Sequence, residues 1–282
     1  MRIHATNDNE WAANSNNRHK RLERVKRGEQ IMTASLIALA VFAVFIGSLM
    51  RSMFGFGEAI VSMPLLTLLP IPLQTSVSLI GLAGLTVAVL TVFSGWRHIE
   101  RPVLIRLGIS TVIGIPVGLY VLKSIPSHII TSGLGIFLMG YGVYCLMKSR
   151  LSQTSDKPLL VSRGWVWPFG FAAGVLGSAY NINGVPVMIY GTLRRWAPER
   201  LRGTLQAHFL ISGVLVVAGH ALGGLWTSDA FVLYAYSLPA ILLATGLGVL
   251  FSKRIPARRF ERILFMIIIG LGILLMLPRG RM

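Results

Sequence analysis

The side chains best suited to act on a solute lie in two glycine-rich stretches, Phe54–Pro64 and Gly174–Pro186. Each stretch interrupts apolar sequence with glycines, which allow non-helical backbone, and with a proline, which lacks an amide donor. Unpaired backbone is costly in hydrocarbon, so such interruptions are expected only against protein or a water-filled cavity. Paired interruptions of this kind indicate the binding site of a transporter. The alternative is close helix packing through small residues, which we favour for other glycines such as Gly81, Gly84 and Gly114.

Glu58 is an acidic residue inside an apolar region. A carboxylate there is expensive and is by default functional, as a proton carrier, a cation ligand or the partner of a nearby arginine. The alternative places Glu58 at a helix mouth in water or in an ion pair with Arg51. Asn181 and Asn183 offer donors and acceptors suited to an oxyanion, or caps for a broken helix. Half-helix amino termini at both stretches would favour a bound anion.

The predicted solute-binding residues come from the two stretches and from the helix that follows the second one. They are Gly55, Gly57, Glu58, Pro64, Gly177, Asn181, Asn183, Gly184, Pro186, Arg202, Gln206 and His208. Gln206 follows Arg202 by four residues and so shares its helix face. For His208, structural hydrogen bonding is a better explanation than a proton relay. No catalytic residue, metal ligand or cofactor is predicted, and the single cysteine, Cys145, excludes intrachain disulfides and thiolate clusters.

The composition is that of a membrane protein, because 54% of the residues are hydrophobic and only 13% are charged. Long apolar runs occur at Ile31–Met50, Val77–Trp96, Val103–Leu122, Ile129–Met147, Phe231–Phe251 and Ile263–Leu277. The basic residues lie in the amino-terminal tail and between these runs, as orientation signals do, and they suit anionic lipid headgroups. We therefore expect membrane lipids as partners and no nucleic acid. Ile31–Met50 is interpreted as a retained span and not as a signal peptide.

The chain is predicted to be a duplication. Gly118, Lys123-Ser124-Ile125-Pro126, Gly140 and Gly142 recur as Gly248, Lys253-Arg254-Ile255-Pro256, Gly270 and Gly272, at an offset of 130 residues. Gly55 and Pro64 match Gly177 and Pro186 at an offset of 122 residues. Basic and neutral loops also exchange places between the halves, as the positive-inside tendency predicts for an inverted repeat. The loops compared are those at 97–106 and 227–229, 70–75 and 194–202, and 123–127 and 253–262.

The expected fold is an all-α integral membrane protein, a polytopic bundle of two homologous, inverted repeats with a broken helix in each half. We expect 8–10 spanning segments, because about 20 apolar residues cross a bilayer and the two shorter apolar pieces cross or half-cross. The predicted regions are a basic, disordered tail at 1–30, a first repeat at 31–147, a connecting loop at 148–163, a second repeat at 164–278 and a short tail at 279–282.

These stretches resemble the sulfite exporter TauE/SafE family of membrane permeases. The first half carries Gly55-x-Gly57 and then Pro64-Leu65-Leu66, and the second carries Gly174-x-x-Gly177 and Asn183-Gly184-x-Pro186. Arg202-Gly203-Thr204-Leu205-Gln206 is similar to the stretch that follows in many members. The resemblance implies a multi-pass carrier in a bacterial cytoplasmic membrane that exports or exchanges small sulfur-containing anions such as sulfite or sulfonates. Glu58-Ala59 and Val185-Pro186 depart from the family pattern.

A secondary carrier of small anions, driven by an ion or proton gradient or by the solute's own gradient, is the function these patterns favour. A carrier of another small organic anion or metabolite and a non-transporting membrane scaffold are the alternatives, and a homo-oligomer stays open. An intramembrane enzyme is disfavoured, because the sequence contains no His-Glu-x-x-His motif and no convincing serine nucleophile with its base. Direct ATP hydrolysis is disfavoured by the lack of a Walker phosphate-binding loop.

Overall fold

A computed structural model of the protein describes residues 33–92, 98–151, 160–251, 266, 269–273 and 275–276. The predicted tails at 1–30 and 279–282 lie outside these residues, as does most of the apolar run Ile263–Leu277. The chain divides into two compact units, Met1–Leu36 and Ile37–Met282. In the described part of the first unit, the Thr33 hydroxyl accepts a hydrogen bond from the Leu36 amide at 3.4 Å, as an N-cap does.

The described residues are helical with connecting turns, and no strand occurs among them. The helices are α1 (Ala34–Phe54), α2 (Glu58–Leu68), α3 (Leu73–Thr91), α4 (Arg101–Ser124), α5 (Ser127–Leu151), α6 (Val166–Tyr180), α7 (Gly184–Leu193), α8 (Pro198–Leu222) and α9 (Ser228–Phe251). A 3₁₀ turn, Arg163–Trp165, precedes α6. Helix α5 continues four residues into the segment predicted as the connecting loop, 148–163.

Five of these helices, α1, α3, α4, α8 and α9, are long and apolar enough to cross a membrane by length and composition. Helices α2 and α7 are apolar but contain only 11 and 10 residues. Such a helix rises about 1.5 Å per residue, so it covers roughly half of a 30 Å hydrocarbon core. The all-α membrane class is thus confirmed, whereas the count of 8–10 crossings stays a prediction.

Glycines bring α4 and α6 into backbone contact. A methyl group added at Gly118 would lie 2.3 Å from the carbonyl oxygen of Val175, and one added at Gly174 would lie 2.2 Å from that of Thr111. Gly114 packs in the same way, with its added methyl 2.3 Å from the Phe171 carbonyl oxygen. The small-residue explanation therefore accounts for Gly114.

A similar contact joins α9 to α1. A methyl group added at Gly248 would lie 2.5 Å from Ser52 Cβ and 3.0 Å from the Leu49 carbonyl oxygen. Helix α3 packs against α8 and α9, and α4 packs against α8 as well as α6. Helix α6 is therefore held by a helix from the first part of the chain, and α1 contacts a helix from the second part.

The two interruptions lie at equivalent points of the helix order. Helix α1 ends at Phe54 and α2 begins at Glu58, while α6 ends at Tyr180 and α7 begins at Gly184. Gly55 and Asn181, the first residues after α1 and α6, both have positive φ, 84° and 58°. Gly55 and Asn181 therefore occupy the same position relative to the ends of their helices, whereas Gly177 lies inside α6. The duplication and the pairing of Gly55 with Gly177 stay predictions.

Candidate functional site

The first break is made by glycine backbone. The Gly55 amide donates to the Arg51 carbonyl at 2.7 Å and ends α1, and Gly57 takes a φ of 101° just before α2. The φ of Gly55 (84°) and the φ of Gly57 (101°) both lie where an L side chain is strained, so the backbone conformation favours glycine at both positions. Gly57 provides no side-chain cap for α2. The first-turn amides of α2 therefore have no partner inside their own helix.

The second break uses asparagine in place of glycine. Asn181 ends α6 in the left-handed region, which asparagine tolerates better than most residues, and its amide donates to the Gly177 carbonyl at 2.8 Å. Asn183 is the N-cap residue of α7, and its side chain makes no capping bond. Pro186 lies in the first turn of α7, where a missing amide donor removes no helical hydrogen bond.

A cavity of about 40 Å³ lies between the two breaks. Its wall contains the first-turn residues of both short helices, which are Glu58, Ala59 and Ile60 of α2 and Gly184 and Val185 of α7. An uncapped helix amino terminus carries partial positive charge and free amide donors. Two such termini at one cavity make it attractive to an anion.

The charged part of the cavity wall is a buried ion pair. Arg51 Nη1 donates to Glu58 Oε2 at 2.7 Å, and each side chain is about 5% exposed (6% and 5%). The same Nη1 donates to the Gly84 carbonyl at 2.9 Å, and the Ser48 hydroxyl donates to Glu58 Oε1 at 3.4 Å. The guanidinium carbon lies 4.3 Å from the centre of the Phe209 ring. These contacts hold the Arg51 guanidinium and the Glu58 carboxylate in place.

The other edge of the Arg51 guanidinium is different. Its Nε and Nη2 atoms are shielded from water and have no hydrogen-bond partner in the part of the chain that the structure describes. Buried donors of this kind are normally satisfied, and those of a cation are especially costly to leave unpaired. The Nε–Nη2 edge is also the fork that binds two oxygens of one oxyanion. The arginine therefore has unused capacity for an anion.

The neutral part of the wall is held by amide side chains. Asn181 Nδ2 donates to the Val77 carbonyl of α3 at 2.7 Å. Asn183 Nδ2 donates to the Ser212 hydroxyl of α8 at 2.5 Å, and this hydroxyl donates in turn to the His208 carbonyl at 2.7 Å. These bonds fix the second break to the two long helices that pack around it.

The structure brings together five of the twelve predicted residues at the cavity wall, and places the others nearby or elsewhere. Those at the wall are Gly57, Glu58, Asn181, Asn183 and Gly184. Those outside it are Gly55, Pro64, Gly177, Pro186, Arg202, Gln206 and His208.

Several residues outside the wall support it. Gln206 Nε2 donates to the Gly55 carbonyl at 3.3 Å, and Thr91 donates to Gln206 Oε1 at 3.0 Å, so Gln206 holds the first break in place. The Arg202 side chain passes close to Gly55, 3.6 Å from a methyl group added there. His208 is fully buried, and its Nε2 contacts the Thr111 hydroxyl of α4 at 3.2 Å, away from the cavity.

The sequence reasoning did not select Arg51 or Phe209 as binding residues. The sequence indicates Arg51 only as an ion-pair partner of Glu58. Gly84 was assigned to helix packing, yet a methyl group there would lie 3.2 Å from both Arg51 Nη1 and Glu58 Oε2. The signal available in the sequence is the spacing of Arg51 and Glu58, which lie seven residues apart on either side of the glycine break.

Within the described residues, no group of three or more histidine, cysteine, aspartate or glutamate side chains could hold a metal ion. The arrangement is a small cavity at two helix breaks, lined by one ion pair, two asparagines, glycines and apolar side chains. These features are typical of membrane transporters, many of which bind their solutes where discontinuous helices meet.

Residues 39–275 match the family described as "Sulfite exporter TauE/SafE", and the chain belongs to this family. A curated relative from Cupriavidus necator, described as "Probable sulfite/organosulfonate exporter TauE", is 24% identical over 238 residues. The alignment covers 82% of this chain and 90% of the relative. No solved structure matches the chain. Members of the family are membrane exporters and not enzymes, so the protein is a multi-pass transporter of the bacterial inner membrane.

Proposed function

We propose that the protein is a secondary carrier of small sulfur oxyanions, sulfite or a sulfonate, and that it binds them in the cavity between the two helix breaks. The observation that supports this proposal most strongly is the meeting of two uncapped helix amino termini with a buried arginine at one cavity. The description of the relative from Cupriavidus necator supports the choice of solute.

The donors around the cavity are numerous enough for an oxyanion. Helix α2 contributes the amides of Glu58, Ala59 and Ile60, and α7 contributes those of Gly184 and Val185. A cavity of about 40 Å³ has room for about three water-sized groups, since one water needs roughly 10–15 Å³. Three oxygens on one sulfur would satisfy such a group of donors.

The amide side chains complete the proposed site. Asn181 and Asn183 would present polar atoms without a charge penalty, and their bonds to α3 and α8 fix their positions. Gly57 and Gly184 would allow the anion to approach the backbone. Gly55, Arg202 and Gln206 would support the first break, and Pro64, Gly177, Pro186 and His208 would contribute through their helices.

The inverted repeat belongs to this proposal, since it gives the carrier two related halves that can move against each other. A helix that ends at a break, a short helix and then two long helices follow one another from α1 and again from α6. A glycine of α4 packs on α6 beside Ser178, and a glycine of α9 packs on α1 beside Ser52. These repeated contacts and the exchanged loop charges support two halves of opposite orientation.

A flux assay tests the proposal. Purified protein in liposomes should move sulfite or a small sulfonate, and Asn183→Ala should slow that flux without unfolding the protein. Glu100→Gln is a control, because Glu100 pairs with Arg200 outside the cavity, where the two side chains are 34% and 41% exposed. Inhibition of the sulfite or sulfonate flux by a small carboxylate tests the alternative that the protein carries another small organic anion. Equal flux in Asn183→Ala, Glu58→Gln and the parent protein would refute the site, and no flux of any small anion would favour the scaffold alternative.

A further inference from the structure

The charges on the cavity wall sum to zero. Arg51 and Glu58 are the charged residues among those that line the cavity, and they face each other at 2.7 Å. Helix α1 adds Ser48 and α3 adds the Gly84 carbonyl to the surroundings of the pair. Helix α8 presents Phe209, Gly213 and Val216, and the second break presents amide and apolar side chains. The anion that enters therefore meets one cation whose best site is already taken by a carboxylate.

An entering anion changes this balance. If Glu58 stayed ionised beside it, two negative charges would share one arginine in a site shielded from water. Like charges in such a site raise the cost of both, and a buried carboxylate without its partner is strongly unfavourable. The arginine can still hold the anion through its Nε–Nη2 edge. The carboxylate can avoid the cost only by losing its charge.

We propose that Glu58 couples anion movement to a proton: the solute binds Arg51 through its Nε–Nη2 edge, and the Glu58 carboxylate beside it binds one proton from the same side of the membrane. One oxygen–hydrogen bond forms on Glu58, and it breaks when the anion leaves and the ion pair closes again. A monoanion and a proton then cross together with no net charge. This inference rests on the proposed function, since it requires an anion at this cavity.

The parent protein gives the first test, with a small sulfonate chosen because its charge does not change over the pH range used. Liposomes loaded with the sulfonate and diluted into sulfonate-free buffer should export one proton per anion, which makes the lumen alkaline to a pH-sensitive dye. An imposed pH gradient should drive the flux, and an imposed membrane potential should not. Sulfonate flux that responds to the potential and moves no protons would overturn the inference while leaving the proposed function standing.

Variants of Glu58 give the second test. Glu58→Gln should carry the sulfonate without protons, so that the flux becomes sensitive to the membrane potential and insensitive to the pH gradient. It should also bind the sulfonate more tightly, because the competing carboxylate is gone. Glu58→Asp should keep proton coupling, and Glu100→Gln should behave as the parent does.

Proton coupling that persists in Glu58→Gln would overturn the inference. If Glu58→Gln does not fold, the proton-to-anion ratio of the parent and of Glu58→Asp decides the matter. Failure of the parent to move sulfite, sulfonate or carboxylate would overturn the proposed function itself.

Discussion

The two helix breaks share a backbone design and differ in chemistry. In each, a helix ends at a residue with positive φ, and a short uncapped helix starts three residues later. The first break uses glycine and places an ion pair at the cavity, whereas the second uses asparagine and places neutral amides there. The comparison separates two tasks. Under the proposed function, a helix terminus would receive the anion at each break, and the ion pair would let the first break change its charge.

The largest difference between the breaks should come from removing the arginine of the charged one. Arg51→Gln leaves Glu58 buried without its partner, which should cost about 3–5 kcal/mol of unfolding free energy and abolish anion flux. Arg200→Gln is the matched control, because its pair with Glu100 is partly exposed and such pairs contribute less than about 1 kcal/mol. Thermal unfolding in detergent measures both. Equal losses of stability in the two variants would contradict the special role of the first break.

A steric test applies to the second break. A methyl group added at Gly184 would lie 2.3 Å from the Phe209 ring, so Gly184→Ala should cost about 1–3 kcal/mol through overpacking. Phe209→Leu should relieve the clash, and the double variant should be more stable than the sum of the single effects predicts. Melting temperatures of the three variants measure this coupling. Simple additivity would show that Phe209 and Gly184 do not restrict each other.

The corresponding test at the first break is conformational. Gly57 has open space around it but a φ of 101°, so Gly57→Ala should cost about 1–2 kcal/mol from backbone strain alone. Gly140 also has open space and lies inside α5 at an ordinary helical φ, so Gly140→Ala should be neutral or stabilising by up to about 1 kcal/mol. Unfolding curves compare the two. The same response at both sites would remove the argument for strain.

The smallest expected effect concerns the residue that replaces glycine in the second break. Asn181→Gly keeps the left-handed backbone and loses the hydrogen bond to the Val77 carbonyl, which should cost about 1 kcal/mol. Asn181→Ala should cost more, because it adds backbone strain to the same loss. Gly55→Asn, the reverse exchange at the first break, has room for the side chain, since the nearest atoms to an added methyl lie 3.6 Å away, so its cost should come from the φ of 84° and be smaller than that of Gly55→Ala. If Asn181→Ala proved as stable as Asn181→Gly, the pairing of the two positions would lose its basis.

The sequence predicted the class of protein and the places of both breaks, because apolar length and glycine with proline are direct physical signals. It also selected Glu58, since a carboxylate is costly inside apolar sequence. It did not identify Asn181 as the counterpart of Gly55, because a comparison of residue types aligns glycine with glycine, while the backbone needs only a residue that tolerates positive φ. The use of Arg51 and Phe209 depends on contacts between distant helices, which spacing along one helix does not reveal.

The glycine contacts of α4 with α6 and of α9 with α1 have a consequence for how the protein is made. Gly118 of α4 packs against α6, which is synthesised later. Ser52 of α1 packs against Gly248 of α9, which is synthesised after the other three helices. In a nascent chain that ended after α5, the surfaces of α1 at Ser52 and of α4 at Gly118 would lack the helices that pack against them. Insertion and assembly are therefore separate events in time, and the cavity can form only after α8 has been delivered to the membrane, because α8 supplies Phe209, Gly213 and Val216 to its wall.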